Sequence, residues 1–63
     1  MDLSIFNNYS GQMNEELRHA AMKAQSKGYG VEDTYDALSE VYRRWGNSPG
    51  KDIVWKQARI LAG

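Results

Sequence analysis

Apolar residues in this chain recur at steps of three and four, the spacing of one helix face, in three stretches separated by glycine. In the first stretch Met13, Leu17, Ala20, Ala21 and Ala24 share a face and predict a helix over about residues 11–27. Ser10 or Asn14 is placed to cap its start. Glu15 and Glu16 fall early and Lys23 and Lys27 late, the arrangement the helix dipole favours, and Gly28 supplies a stop. Three alanines on the buried face leave little apolar volume, so another helix is expected to approach closely there.

The second stretch, about 31–45, follows Gly28-Tyr29-Gly30 and carries a broad apolar and aromatic face: Val31, Thr34, Tyr35, Leu38, Val41, Tyr42 and Trp45. Glu32, Asp33 and Asp36 come first and Arg43 and Arg44 last, again following the dipole. Glu40 stands three and four residues before those arginines, close enough to pair with them. This helix should organise the core. The third stretch, about 49–62, starts at Ser48-Pro49, a serine cap with proline in the first helical position, where its missing N–H has no intrahelical partner in any case. Ile53, Val54, Ala58, Ile60 and Leu61 form the expected apolar face, and Asp52 and Lys56 an i, i+4 pair. Ile53-Val54-Trp55 also suits a short strand, but no partner strand is legible, so helix is preferred. Residues 1–10 contain Leu3, Ile5, Phe6 and Tyr9, too apolar for a plain tail; they suit a turn capped by Ser4, or an arm packed on this molecule or its neighbour. The expected fold is all-α: one helical domain over residues 1–63, a compact bundle of three helices with a short N-terminal arm or turn.

Size sharpens the picture. A chain of 63 residues buries only about 60% of its unfolded surface, so its core gains from reinforcement. The chain has no cysteine, which removes disulfides and thiolate zinc sites, and its one histidine, His19, cannot hold a metal alone. A partner chain is the remaining reinforcement, and the simplest is a second copy, so a homodimer is expected. The start Met1-Asp2-Leu3-Ser4-Ile5-Phe6 lacks a basic leader, and no run approaches the roughly 18 apolar residues of a membrane span. A soluble, cytoplasmic protein with no membrane contact is the expectation.

Charge is uneven. Residues 1–41 hold seven acids against three bases, and residues 42–63 hold Arg43, Arg44, Lys51, Lys56 and Arg59 against Asp52 alone. The formal net charge is nonetheless zero.

Chemistry finds little support. Without cysteine and with one histidine, an activated nucleophile needs an improbable convergence, and the dipole accounts for Glu15/Glu16 and Asp33/Asp36. Glu16 and His19 have the Glu-x-x-His spacing of di-iron bundles, which also need inward glutamates from other helices; only Glu40 sits in the middle of one. The segment from Gly46 to Asp52 is no phosphate loop: Pro49 removes a donor and Asp52 would repel the anion. No catalytic residue, metal or cofactor is expected.

The Ala24-to-Gly28 turn resembles that of helix-turn-helix DNA readers, but Glu32, Asp33 and Asp36 would then meet phosphates. Gly28-Tyr29, Ala37-Leu38 and Gly46-Asn47 resemble in order the landmarks of ubiquitin-associated domains; the spacing after Ala37 is longer and residues 47–58 do not follow that pattern. The expectation is therefore a small non-enzymatic regulator, inhibitor or adaptor that binds a larger protein, as suits a phage- or plasmid-encoded accessory chain. Seven aromatics in so small a body leave some for an interface, where aromatic and Arg side chains are the usual anchors. The candidate contact residues are Tyr29, Tyr42, Arg43, Arg44, Trp45, Lys51, Trp55, Lys56 and Arg59. The alternative is a nucleic-acid regulator using the same basic, tryptophan-containing half.

Overall fold

Two glycines decide where the first two helices end. Gly28 has φ of 69° and Gly46 has φ of 65°, the left-handed region in which a side chain is strained. Beyond the first helix, the Tyr29 N–H donates to the Ala24 carbonyl (2.9 Å) and the Gly28 N–H to that of Gln25 (3.1 Å). The second helix repeats the pattern, with the Asn47 N–H on Tyr42 (2.9 Å) and the Gly46 N–H on Arg43 (3.1 Å). This paired 6→1 and 5→2 closure is the Schellman cap, which satisfies carbonyls the helix leaves open. In the computed structural model, which describes residues 4–6, 9 and 11–62, the helices are α1 (Gly11–Ser26), α2 (Val31–Arg44) and α3 (Lys51–Ala62), preceded by a 3₁₀ turn at Ser4–Phe6.

The boundaries correct several expectations. α1 stops at Ser26, so Lys23 alone supplies a cation to its last turn, and its first turn holds no acid. Asn14 lies inside the helix and caps nothing; its Nδ2 donates to the Phe6 carbonyl (2.8 Å) and fastens the 3₁₀ turn to α1. Ser10, the other proposed cap, lies outside the described residues. Ser48 and Pro49 precede α3 without starting it. The Gly50 carbonyl is the one that accepts from the N–H groups of Ile53 (3.0 Å) and Val54 (3.3 Å). α2 begins at Gly30 with no side-chain cap, and the Thr34 hydroxyl turns back onto the Gly30 carbonyl (2.8 Å). That bond satisfies the Thr34 hydroxyl, which lets the residue be buried without an orphaned polar group.

α2 packs against both other helices, whereas α1 and α3 meet much less. The result is a three-helix bundle with no strand among the described residues, and Ile53-Val54-Trp55 is helical. The core joins Leu17 and Ala21 of α1 to Leu38, Val41 and Tyr42 of α2 and to Val54, Ala58 and Leu61 of α3, with Phe6 inserted from the N-terminal turn. Buried Ala21 and Ala24 give α1 the small face that close approach requires. Gln25 Nε2 donates to the Leu61 carbonyl (2.8 Å), tying the C-terminal ends of α1 and α3 together. The face of α3 differs from expectation: Val54, Gln57, Ala58 and Leu61 are buried, while Ile53 and Ile60 are 51% and 50% exposed. Val54, Gln57, Ala58 and Leu61 have the i, i+3, i+4, i+7 spacing of one stripe, and Ile53 and Ile60 lie about 100° round the helix from its middle.

Tyr42 carries a side-chain network inside this core. Its hydroxyl donates to Gln57 Oε1 (2.7 Å) and accepts from the Tyr9 hydroxyl (3.1 Å), because the single Tyr42 proton goes to the carbonyl oxygen, which can only accept. The Tyr9 ring meets the Tyr42 ring edge-on, centroids 5.5 Å apart at 61°. Burial pushes the Tyr42 phenol well above its ordinary value, and the Tyr9 hydrogen bond pushes it further.

Two outcomes follow from this packing. Leu38→Ala removes a side chain with no solvent exposure and is expected to lower stability by about 2–5 kcal/mol, read by denaturant unfolding; a loss under about 1 kcal/mol would place the core elsewhere. The raised Tyr42 value means the fold favours the neutral phenol. Its contribution is intact below the unfolded value of about 10 and declines as pH rises above it. Tyr42→Phe should flatten that alkaline decline, while costing about 1–3 kcal/mol at neutral pH by orphaning Gln57 Oε1. Unfolding midpoints of wild type and variant between pH 8 and about pH 11 compare the two directly.

Candidate interaction surfaces

The nine candidate contact residues do not form one patch. Tyr42 is buried, so its ring belongs to the core and not to a contact surface. Trp55 is half-buried and stacks on Tyr35, centroids 4.1 Å apart and planes 19° from parallel, so one face of its indole is already covered. Tyr29 is half-buried where α1 turns into α2. Arg43, Arg44, Lys51, Lys56 and Arg59 are all exposed. Trp45 closes α2 with 38% exposure.

Glu16 stands outside the nine candidate contact residues. Its carboxylate takes both Arg44 Nη1 and Trp45 Nε1 (2.8 Å for the indole), pinning the end of α2 against α1. Sequence reasoning placed Glu16 in the first helical turn and paired Arg44 with Glu40. The helix begins too early for the first, and the Arg44–Glu16 bridge is the one ion pair among the described residues. The usable signal was positional: Glu16 precedes the buried Leu17 by one residue and so flanks the contact with α2. Asp52 with Lys56 likewise forms no bridge.

Two surfaces stand open among the described residues. One is a groove of about 810 Å³ along the α1/α2 hairpin. Ala20, Ala37 and Val41 form its floor; Glu16, His19 and Lys23 rise on the α1 side, and Asp33, Glu40 and Arg44 on the α2 side. Tyr29 closes the end at the connecting turn. The other is the outer side of α3. Ile53 and Ile60, seven residues apart, project from the same side with exposed Lys56 between them and Arg59 adjacent.

Among the described residues no three His, Cys, Asp or Glu side chains converge as a metal site. Asn14 Oδ1 is buried without a hydrogen-bond partner, but its amide is committed to the Phe6 carbonyl beneath the N-terminal turn, away from both surfaces. No helix of the described residues is long and apolar enough to cross a membrane. Comparison with known protein families, curated proteins and solved structures finds no match to this chain.

The Glu16 cluster is solvent-facing, the Arg44 and Glu16 side chains being 65% and 32% exposed. Glu16→Ala is therefore expected to lower stability by less than about 1 kcal/mol. In a Trp55→Phe background it should also move Trp45 emission to longer wavelength as the indole loses its carboxylate partner. Unchanged emission would show that the bond does not hold the ring in solution.

Proposed function

We propose that this protein is a non-enzymatic binding module, a small regulator, inhibitor or adaptor, whose α3 outer surface docks on a larger protein. The observation that carries this reading is the half-exposed Ile53/Ile60 pair, two large aliphatic side chains that the core leaves out. Lys56 and Arg59 border them, so the fitting partner presents an apolar centre rimmed by carboxylates. Apolar anchors inside a charged rim are the usual anatomy of a protein interface.

A second reading rests on the exposed cations. Arg43, Lys51, Lys56 and Arg59 are engaged in no ion pair among the described residues, as a phosphate-binding surface requires. Against it, Tyr35 covers one face of Trp55 and the Trp45 indole N–H is committed to Glu16, so neither ring is wholly free to reorient onto bases.

Capture of a partner from host lysate with and without nuclease separates the readings. The expected result is a protein partner that survives nuclease and is retained at least about tenfold less by Ile53→Ser/Ile60→Ser, a loss of about 1.4 kcal/mol or more. Lys56→Glu/Arg59→Glu should mainly slow association. Capture abolished by nuclease, or nucleic-acid affinity tighter than about 10⁻⁶ M at about 150 mM salt, would favour the second reading instead.

A further inference from the structure

We infer that the α1/α2 groove is a self-docking surface: it receives the α1/α2 hairpin of a second copy of this chain, about a two-fold axis running along the groove. The argument begins with the order of charges. From the open end of the hairpin towards the connecting turn, the α1 rim presents Glu16, His19 and Lys23, and the α2 rim presents Arg44, Glu40 and Asp33. At the first and last of these levels the two rims are opposite in sign, and at the middle one an imidazole stands across from a carboxylate. Within one molecule only the first level closes, as the Arg44–Glu16 bridge; Lys23 and Asp33 form no bridge across the groove, nor do His19 and Glu40.

A two-fold axis parallel to the helices lays α1 of one copy over α2 of the other, antiparallel and at unchanged level. Glu16 then meets the second copy's arginine, His19 its glutamate and Lys23 its aspartate, and symmetry makes every pairing twice. The helix dipoles oppose as well. The floor permits the approach, because Ala20 and Ala37 at mid-groove let helix axes come to about 8 Å, the near end of helix packing distances. A short chain with no cysteine gains from the second copy the buried area that its own core lacks. Ile53 and Ile60 take no part in this groove, so the inference stands or falls separately from the α3 reading.

Sedimentation equilibrium of the full chain, from micromolar to millimolar, tests it. Wild type should pass from monomer to dimer. Lys23→Glu and Asp33→Lys, both at exposed positions without side-chain hydrogen bonds among the described residues, should each weaken the dimer at least about tenfold while helicity by circular dichroism is unchanged. The double exchange Lys23→Glu/Asp33→Lys should return the dimer to within about threefold of wild type. Ala37→Arg, which fills the floor, should leave a folded monomer. Wild type that stays monomeric throughout, or a dimer that tolerates both single charge changes and Ala37→Arg, would overturn the proposal. Failure of the double exchange to restore association would overturn the two-fold arrangement.

Discussion

Tyr42 stands where the N-terminal segment, α2 and α3 meet, and a phenol hydroxyl buried there has to find partners. It finds two, Gln57 and Tyr9. Much of the remaining architecture is consistent with that requirement. Gln57 must face inward, which fixes the rotation of α3 about its own axis. With that rotation, Val54, Ala58 and Leu61 turn to the core, and Ile53 and Ile60 turn away from it. Tyr9 must reach the same point, and ahead of it Phe6 enters the core and Asn14 holds its carbonyl. A polar group in the middle of a small apolar core costs more than it returns when left unpaired, and specifies geometry when paired.

The three helices were legible chiefly from apolar spacing, with charge order adding support for α2 and glycine marking the ends of α1 and α2. Gly28 and Gly46 work as expected, each in the left-handed conformation that a Schellman cap needs. The start of α3 was misread because Ser48-Pro49 has the composition of a helix start, whereas composition does not reveal which carbonyl first meets an N–H four residues on. Gly50 does, two residues past the serine. The inward face of α3 was misread for a related reason. Hydropathy favours isoleucine over glutamine for the interior, and only the hydroxyl of Tyr42, from another helix, makes Gln57 a core residue.

The candidate surface was less legible than the fold. Exposed Lys51, Lys56 and Arg59 could be anticipated from charge alone, but aromatic residues are ambiguous, since rings anchor cores and interfaces alike. Here Tyr42 went to the core, Trp55 to a stack on Tyr35, and Trp45 to a bond with Glu16. The uneven charge along the chain is partly cancelled in space. Glu16 of the acidic portion and Arg44 of the basic portion meet across the α1/α2 contact, a separation of 28 residues that no local pairing rule would propose.

The uneven contacts among the helices bear on how the chain acquires its shape. Neighbours in sequence are neighbours in space, α1 on α2 and α2 on α3, while α1 and α3 meet much less. Few loops of large sequence span must therefore close before contacts begin to repay the lost entropy, and topologies of this kind fold in roughly microseconds to milliseconds. The first hairpin, with its floor of alanines, can assemble on its own residues, and α3 then docks onto a surface already present. The tie between Gln25 and Leu61 can form only once both hairpins exist, and the tie between Tyr9 and Tyr42 only once the first does. They act as late locks on a fast-forming scaffold, and their loss should show mainly in the rate at which the native state opens.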